Sequence, residues 1–157
     1  MIVKNHGWDY NTQYTSFILS DLMSNPITVL VVDGDAHSLM TLSALLKTLD
    51  IHYKRNTSGT NVIAQAHAML PQLDAILLDM HLPETDAYDI CQALKQDPRL
   101  RRIPIIIMTH QLTEDLPQRV RQNGCAGLVV RPFSRKQFGV YLRRIVSGDR
   151  PVGNGVH

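Results

Sequence analysis

From Pro26 onward, short runs of β-branched and other apolar residues alternate with stretches in which apolar positions recur at helical spacing. Ile27 to Val32 is the first such run and predicts a strand. Asp35 can cap a helix whose apolar face is Leu42, Leu45, Leu46 and Leu49, and Ile51 to Arg55 follows as a second strand. Thr57, Ser58 and Gly59 read as a turn. A second helix carries Val62, Ile63, Ala66 and Leu70 until Pro71 stops it, and Ala75 to Leu78 then runs as a strand into Asp79. Ala87, Ile90, Cys91 and Leu94 mark a third helix closed by Asp97-Pro98, and Pro104 to Thr109 is a fourth strand. Asp115 can cap a fourth helix with Pro117 in its first turn, ended by Asn123-Gly124. Gly127 to Val130 is the fifth strand, after which Ser134 caps a last helix with the stripe Phe138, Tyr141, Leu142 and Ile145.

Five strands alternating with five helices through short loops predict an α/β fold, a doubly wound parallel sheet with helices on both faces. Four of the strands, all but Ile51 to Arg55, read as continuous apolar runs, as expected where both faces of a sheet are covered. Ligands of such sheets lie outside the carboxyl ends of the strands. Four of the predicted strands end there on polar residues of different kinds: Asp33, Asp79, Thr109 and Arg131.

Composition adds limits. A chain of 157 residues with 44% hydrophobic content can bury one sizeable core, so a single domain is expected over 27–147. Residues 1–26 hold Trp8, Tyr10, Tyr14 and Phe17 among polar residues and are expected to be a disordered extension or a docking helix; 148–157 read as a disordered tail. The formal charge is only +2 and the basic residues are scattered, apart from Arg99, Arg101 and Arg102 and the pair Arg143 and Arg144, which argues against nucleic acid as a partner. No apolar stretch reaches membrane-spanning length and the first 25 residues do not read as a secretory signal, so the expectation is a cytoplasmic protein with no membrane partner. Cys91 and Cys125 lack metal-ligand spacing and read as reduced, structural thiols.

Carboxylates gathered at strand ends raise one another's pKa values unless a cation neutralises them, and Mg²⁺ suits a shallow oxygen-lined site. Asp79, on the strand with the most apolar neighbours, is the nucleophile candidate: a carboxylate attacking a phosphoryl group gives an acyl phosphate, a step catalysed mostly by positioning and charge neutralisation. Thr109 can donate to one phosphoryl oxygen and Arg131 can pair with another. Singly, each residue has a plainer reading, since a strand-end Asp often caps a helix and Thr109 can satisfy a loop amide. The set of four carries the functional one.

The stretches Val29-Leu-Val-Val-Asp33, Leu77-Leu-Asp-Met-His-Leu-Pro83 with Asp86 following, Pro104-Ile-Ile-Ile-Met-Thr109 and Val129-Val-Arg-Pro-Phe133 stand in an order and spacing that resembles the receiver domain of two-component response regulators, from about Ile27 to Val146. The resemblance implies a flavodoxin-like sheet in the order 2-1-3-4-5. It implies a stand-alone receiver, not a classical enzyme, that takes a phosphoryl group on Asp79 from a histidine kinase or phosphotransfer protein with Mg²⁺ as cofactor. By residue, it makes Asp33 and Asp79 metal ligands, gives the metal the backbone carbonyl of His81, and makes Thr109 the switch hydroxyl. A cis peptide is implied at Arg131-Pro132, aiming the Arg131 side chain into the site. The face made by the fourth helix, fifth strand and fifth helix, with Arg119, Arg121, Gln122, Arg135, Tyr141 and Arg144, is implied as the contact for a downstream protein or a second copy.

The chain departs from the family pattern at several of these positions. Gly34 stands where the family has a second acid; Asp35, one residue on, either swings in as a further metal ligand or caps the first helix. Arg131 replaces the family's lysine, His110 a small residue, Leu128 the switch aromatic and Ala87 a glycine. These exchanges motivate an alternative, a pseudo-receiver that binds partners without phosphorylation. Two further readings are weaker. His37, His81 and His110 near the acids suggest a transition metal, without tight ligand spacing. Asp33-Gly34-Asp35 is similar to the start of the haloacid dehalogenase-like phosphatases, but His37 stands where their threonine is expected.

Overall fold

The computed structural model describes residues 26–149. The expectations for 1–25 and for 150–157 lie outside the described residues. The order of elements is β1 (Thr28–Val32), α1 (Ala36–Thr48), β2 (His52–Asn56), α2 (Val62–Met69), β3 (Ala75–Asp79), α3 (Ala87–Gln96), β4 (Ile105–Thr109), α4 (Leu116–Gln122), β5 (Gly127–Val130) and α5 (Arg135–Val146). All strand pairs are parallel and the sheet order is β2-β1-β3-β4-β5, the α/β arrangement that the sequence implied.

The alternation of side chains along each strand divides the core in two. Leu30, Val32, Ile76, Leu78, Ile105, Ile107 and Leu128 face α2, α3 and α4. Val29, Val31, Leu77, Ile106, Met108 and Val129 face α1 and α5, where they meet Leu42, Leu46, Phe138 and Leu142. Both sheet faces are therefore dry, which explains why β3 and β4 are buried along their whole length.

Helix starts follow their caps. Asp35, Asp86 and Ser134 each accept a hydrogen bond from a first-turn amide of α1, α3 and α5, from Ser38, Tyr88 and Gln137 respectively. Asp115 departs from expectation: it precedes α4 but is itself helical and makes no capping bond. Its carboxylate instead accepts from Thr113 Oγ1 at 2.7 Å and lies 3.6 Å from Arg119. Leu70 is not the last residue of α2; its backbone is extended, ahead of Pro71, because a residue preceding proline is pushed out of the helical region. Cys91 and Cys125 are both free and buried, with their sulfurs 2.9 Å apart.

Candidate functional site

Register brings the strand ends together. Val32 pairs with Leu78 and Asp79 with Met108, so Asp33 and Asp79 leave adjacent strands at the same level. Thr109 pairs with Val130, and the Arg131 amide continues that ladder by donating to Thr109 O at 2.8 Å. The Arg131-Pro132 peptide is cis. The four residues singled out from sequence thus converge above β1, β3, β4 and β5.

Asp33 is completely buried and carries the densest set of bonds. Its Oδ1 accepts from the Asp35 amide at 2.9 Å; its Oδ2 accepts from Ser38 Oγ at 2.7 Å and from Arg131 Nη2 at 2.9 Å. Burial alone would raise its pKa, but the bonds from Ser38, the Asp35 amide and Arg131, with the Arg131 charge, overcome that and hold the carboxyl below its ordinary value. Asp79 is treated oppositely. Burial raises its pKa, the bond from the His81 amide to Oδ1 at 3.1 Å works against this, and the nearby Asp33 charge adds to the rise, so the net shift is upward. One acid is held below its ordinary pKa and its neighbour, chiefly by burial, above it.

Thr109 is buried, and its hydroxyl closes a tight loop, donating to Gln111 O at 3.1 Å and accepting from Gln111 N at 3.2 Å. The plainer reading of a satisfied loop amide is thus met in this structure, while the residue stays at the strand end. Asp35 is also engaged, its Oδ1 accepting from Ser38 N at 2.6 Å, so it caps α1 instead of turning toward Asp33 and Asp79. A side chain at position 34 would be tightly placed: a Cβ there would lie 3.0 Å from Pro83 Cδ and 3.3 Å from Thr57 O. His37, His81 and His110 are all exposed, and among the described residues no three His, Cys, Asp or Glu gather as a metal cluster. His37 and His110 instead line a cleft of about 480 Å³ beside Arg131, between the start of α1 and Phe133.

Ser38, Met108 and Pro83 were not singled out from sequence. Ser38 fixes Asp33, Met108 Sδ lies 3.2 Å from Arg131 Nη2, and Pro83 covers Gly34. Only Ser38 carried a signal, its place in the first turn after the Asp35 cap. Leu128 is buried in the core, consistent with its inability to act as a swinging aromatic. Tyr141 is a correction: offered as part of a partner face, it is 3% exposed, because the α5 stripe to which it belongs packs on the sheet. Arg119, Arg121, Gln122, Arg135 and Arg144 of that face are exposed.

Residues 29–143 match the family model of the response regulator receiver domain. The chain belongs to this family. The polar-differentiation response regulator DivK of Brucella anthropi is 28% identical over 113 residues, covering 72% of this chain and 90% of that protein. A putative response regulator from Chloroflexus aurantiacus superposes with a TM-score of 0.69 at 27% identity, covering 78% of this chain and 98% of that one. The receiver domain of a sensor histidine kinase from Pseudomonas aeruginosa, described with a magnesium ion coordinated in its active-site cleft, has a TM-score of 0.69 at 25% identity and covers 78% of this chain and 99% of that one. Membership removes the phosphatase reading. Asp33, its nucleophile, is moreover fully buried and held by three donors. No described helix is long and apolar enough to cross a membrane.

Proposed function

We propose that this receiver takes a phosphoryl group on Asp79 from a histidine kinase or phosphotransfer protein and signals through contacts with a downstream protein in the cytoplasm. The observation that supports this best is the convergence of Asp33, Asp79, Thr109 and Arg131 at neighbouring strand ends, with the Arg131 guanidinium already seated on an acid of the site. An attacking carboxylate needs such neighbours together with a neutralising cation.

The donor set fits Mg²⁺, which takes one or two carboxylates and keeps several waters. Asp33, Asp79 and the His81 carbonyl would hold it. Bound there, it would neutralise charge developing on the transferred phosphoryl group. Among the chain's own groups, Arg131 has the planar fork that pairs with phosphoryl oxygens, and Thr109 has a hydroxyl that can exchange its bond to Gln111 O for one to phosphate. The chemistry is acceptance and loss of phosphate at the protein itself rather than turnover of a free substrate.

Incubating the protein with a small acyl phosphate and Mg²⁺ tests this. Intact-mass analysis is expected to show one added phosphoryl group, lost on hydroxylamine treatment and absent in Asp79→Ala. An unmodified wild type, or labelling that persists in Asp79→Ala, overturns it.

The second reading is a pseudo-receiver that binds partners without phosphate. It is favoured by the Arg131–Asp33 ion pair and by the tight contacts that a side chain at position 34 would make. Under it, partner affinity is unchanged by Asp79→Ala.

A further inference from the structure

We propose that Arg131 is the resident counter-cation of Asp33 and sets how tightly the pocket takes a divalent cation. The inference rests, in its cation part, on the metal-assisted reading above. The Nη2 to Oδ2 distance is 2.9 Å, and the side chains are 10% and 0% exposed, so salt screens the pair little. The guanidinium is also placed by Met108 Sδ at 3.2 Å, over the strand that pairs with Asp79. It therefore reaches across the sheet from the end of β5 to Asp33 at the end of β1, one of the two acids a shared cation would need.

Two further observations sharpen the competition. Ser38 Oγ takes the same Asp33 oxygen as Arg131, and the Asp35 amide takes the other, so three donors already share a carboxylate with about four acceptor sites. A second acid is also missing at Gly34, where a Cβ would press on Pro83 Cδ at 3.0 Å. A divalent cation that bridges Asp33 and Asp79 then competes with the guanidinium for the Asp33 charge. A lysine at this place would put a single point charge where the arginine puts a fork, and would release Asp33 Oδ2 more readily.

Calorimetric titration of the full chain with Mg²⁺ tests this on wild type, Arg131→Lys and Arg131→Gln. Lys136→Gln, on the exposed side of α5, controls for net charge. Both Arg131 variants are expected to bind Mg²⁺ about 10–100-fold tighter than wild type, the scale on which groups beside a metal ligand tune its affinity. Lys136→Gln is expected to match wild type. Arg131→Lys keeps the charge, so it carries the test if Arg131→Gln fails to fold. Equal affinity in wild type and Arg131→Lys overturns the proposal, as does an equal gain in Lys136→Gln or no binding by any variant. Treating the same samples with acyl phosphate separates the two claims. A wild type that stays unmodified removes the phosphoacceptor reading, and tighter Mg²⁺ binding by Arg131→Lys then still leaves the counter-cation role standing.

Discussion

The Tyr141 hydroxyl on α5 accepts a hydrogen bond from the Leu128 amide of β5 at 2.8 Å, with both residues buried. β5 has a neighbour on one side only, and the phenol supplies a partner for one of the amides that an edge strand leaves open. Tyr141→Phe keeps the ring and removes the acceptor, so it leaves a buried N–H unpaired and is expected to cost about 1–3 kcal/mol. Urea denaturation checks this; a midpoint equal to wild type would show that the amide finds water instead.

Gly127 makes that contact possible. A Cβ at this position would fall 2.5 Å from Ile145 Cδ1 and 2.8 Å from Tyr141 Oη. Gly127→Ala is expected to force α5 away from β5 and to cost about 1–3 kcal/mol, the usual range for overpacking. Thermal melts of Gly127→Ala alone and with Ile145→Val measure it, and the smaller side chain should recover part of the loss.

Restoring an acid at Gly34 meets Pro83. Gly34→Asp by itself is expected to destabilise by about 1–2 kcal/mol, because a proline ring and the Thr57 carbonyl yield poorly. Adding Pro83→Ala should return most of that loss, which a double-mutant cycle reads as a coupling between the two positions. Strict additivity would mean that the contact does not govern residue choice at position 34.

Removing one partner of the ion pair at the site is expected to be costly. Asp33→Asn leaves the Arg131 guanidinium, 10% exposed, without its counter-charge. A loss of about 3–5 kcal/mol is expected, and Asp33→Asn with Arg131→Met should be less destabilised than the sum of the two single variants. Chemical denaturation of the four proteins checks this.

A pH effect is expected on the opposite sheet face. His67 Nε2 on α2 lies 2.6 Å from Asp97 Oδ2 at the end of α3. The bond to His67 is the main cause that lowers the Asp97 pKa from its ordinary value of 3.8. With the folded value below the unfolded one, the contribution is full above the ordinary value and disappears as pH falls through the folded value. Asp97→Asn keeps an acceptor for the Arg99 and Leu100 amides but does not titrate. Wild type should therefore lose stability more steeply than Asp97→Asn below about pH 4. Parallel acid melts would refute the assignment.

Much of the fold was legible because four of the five strands are apolar on both faces and the helices keep apolar stripes at helical spacing. β3, with Ala75 to Leu78 fully buried, is an example, as is α3 with Ala87, Ile90, Cys91 and Leu94. The failures were local. Asp115 has the composition of a cap, but a short side chain near a helix start has several partners to choose from, and Thr113 and Arg119 take it. Tyr141 was read both as stripe and as surface, because tyrosine suits either and only packing decides.

The order of Asp33, Asp79, Thr109 and Arg131 at successive strand ends is a property of the sequence, since a parallel sheet carries whatever follows each apolar run to one edge. What these side chains do to one another was decided by the tertiary structure. Asp33 is held by Ser38 and by Arg131, which lies 98 residues away in sequence, and Asp79 is raised partly by the Asp33 charge. Such pairings depend on distances of a few ångströms between residues remote in the chain. Residue type and spacing carry no such information, whereas sheet register and the packing of Met108 and Pro83 do.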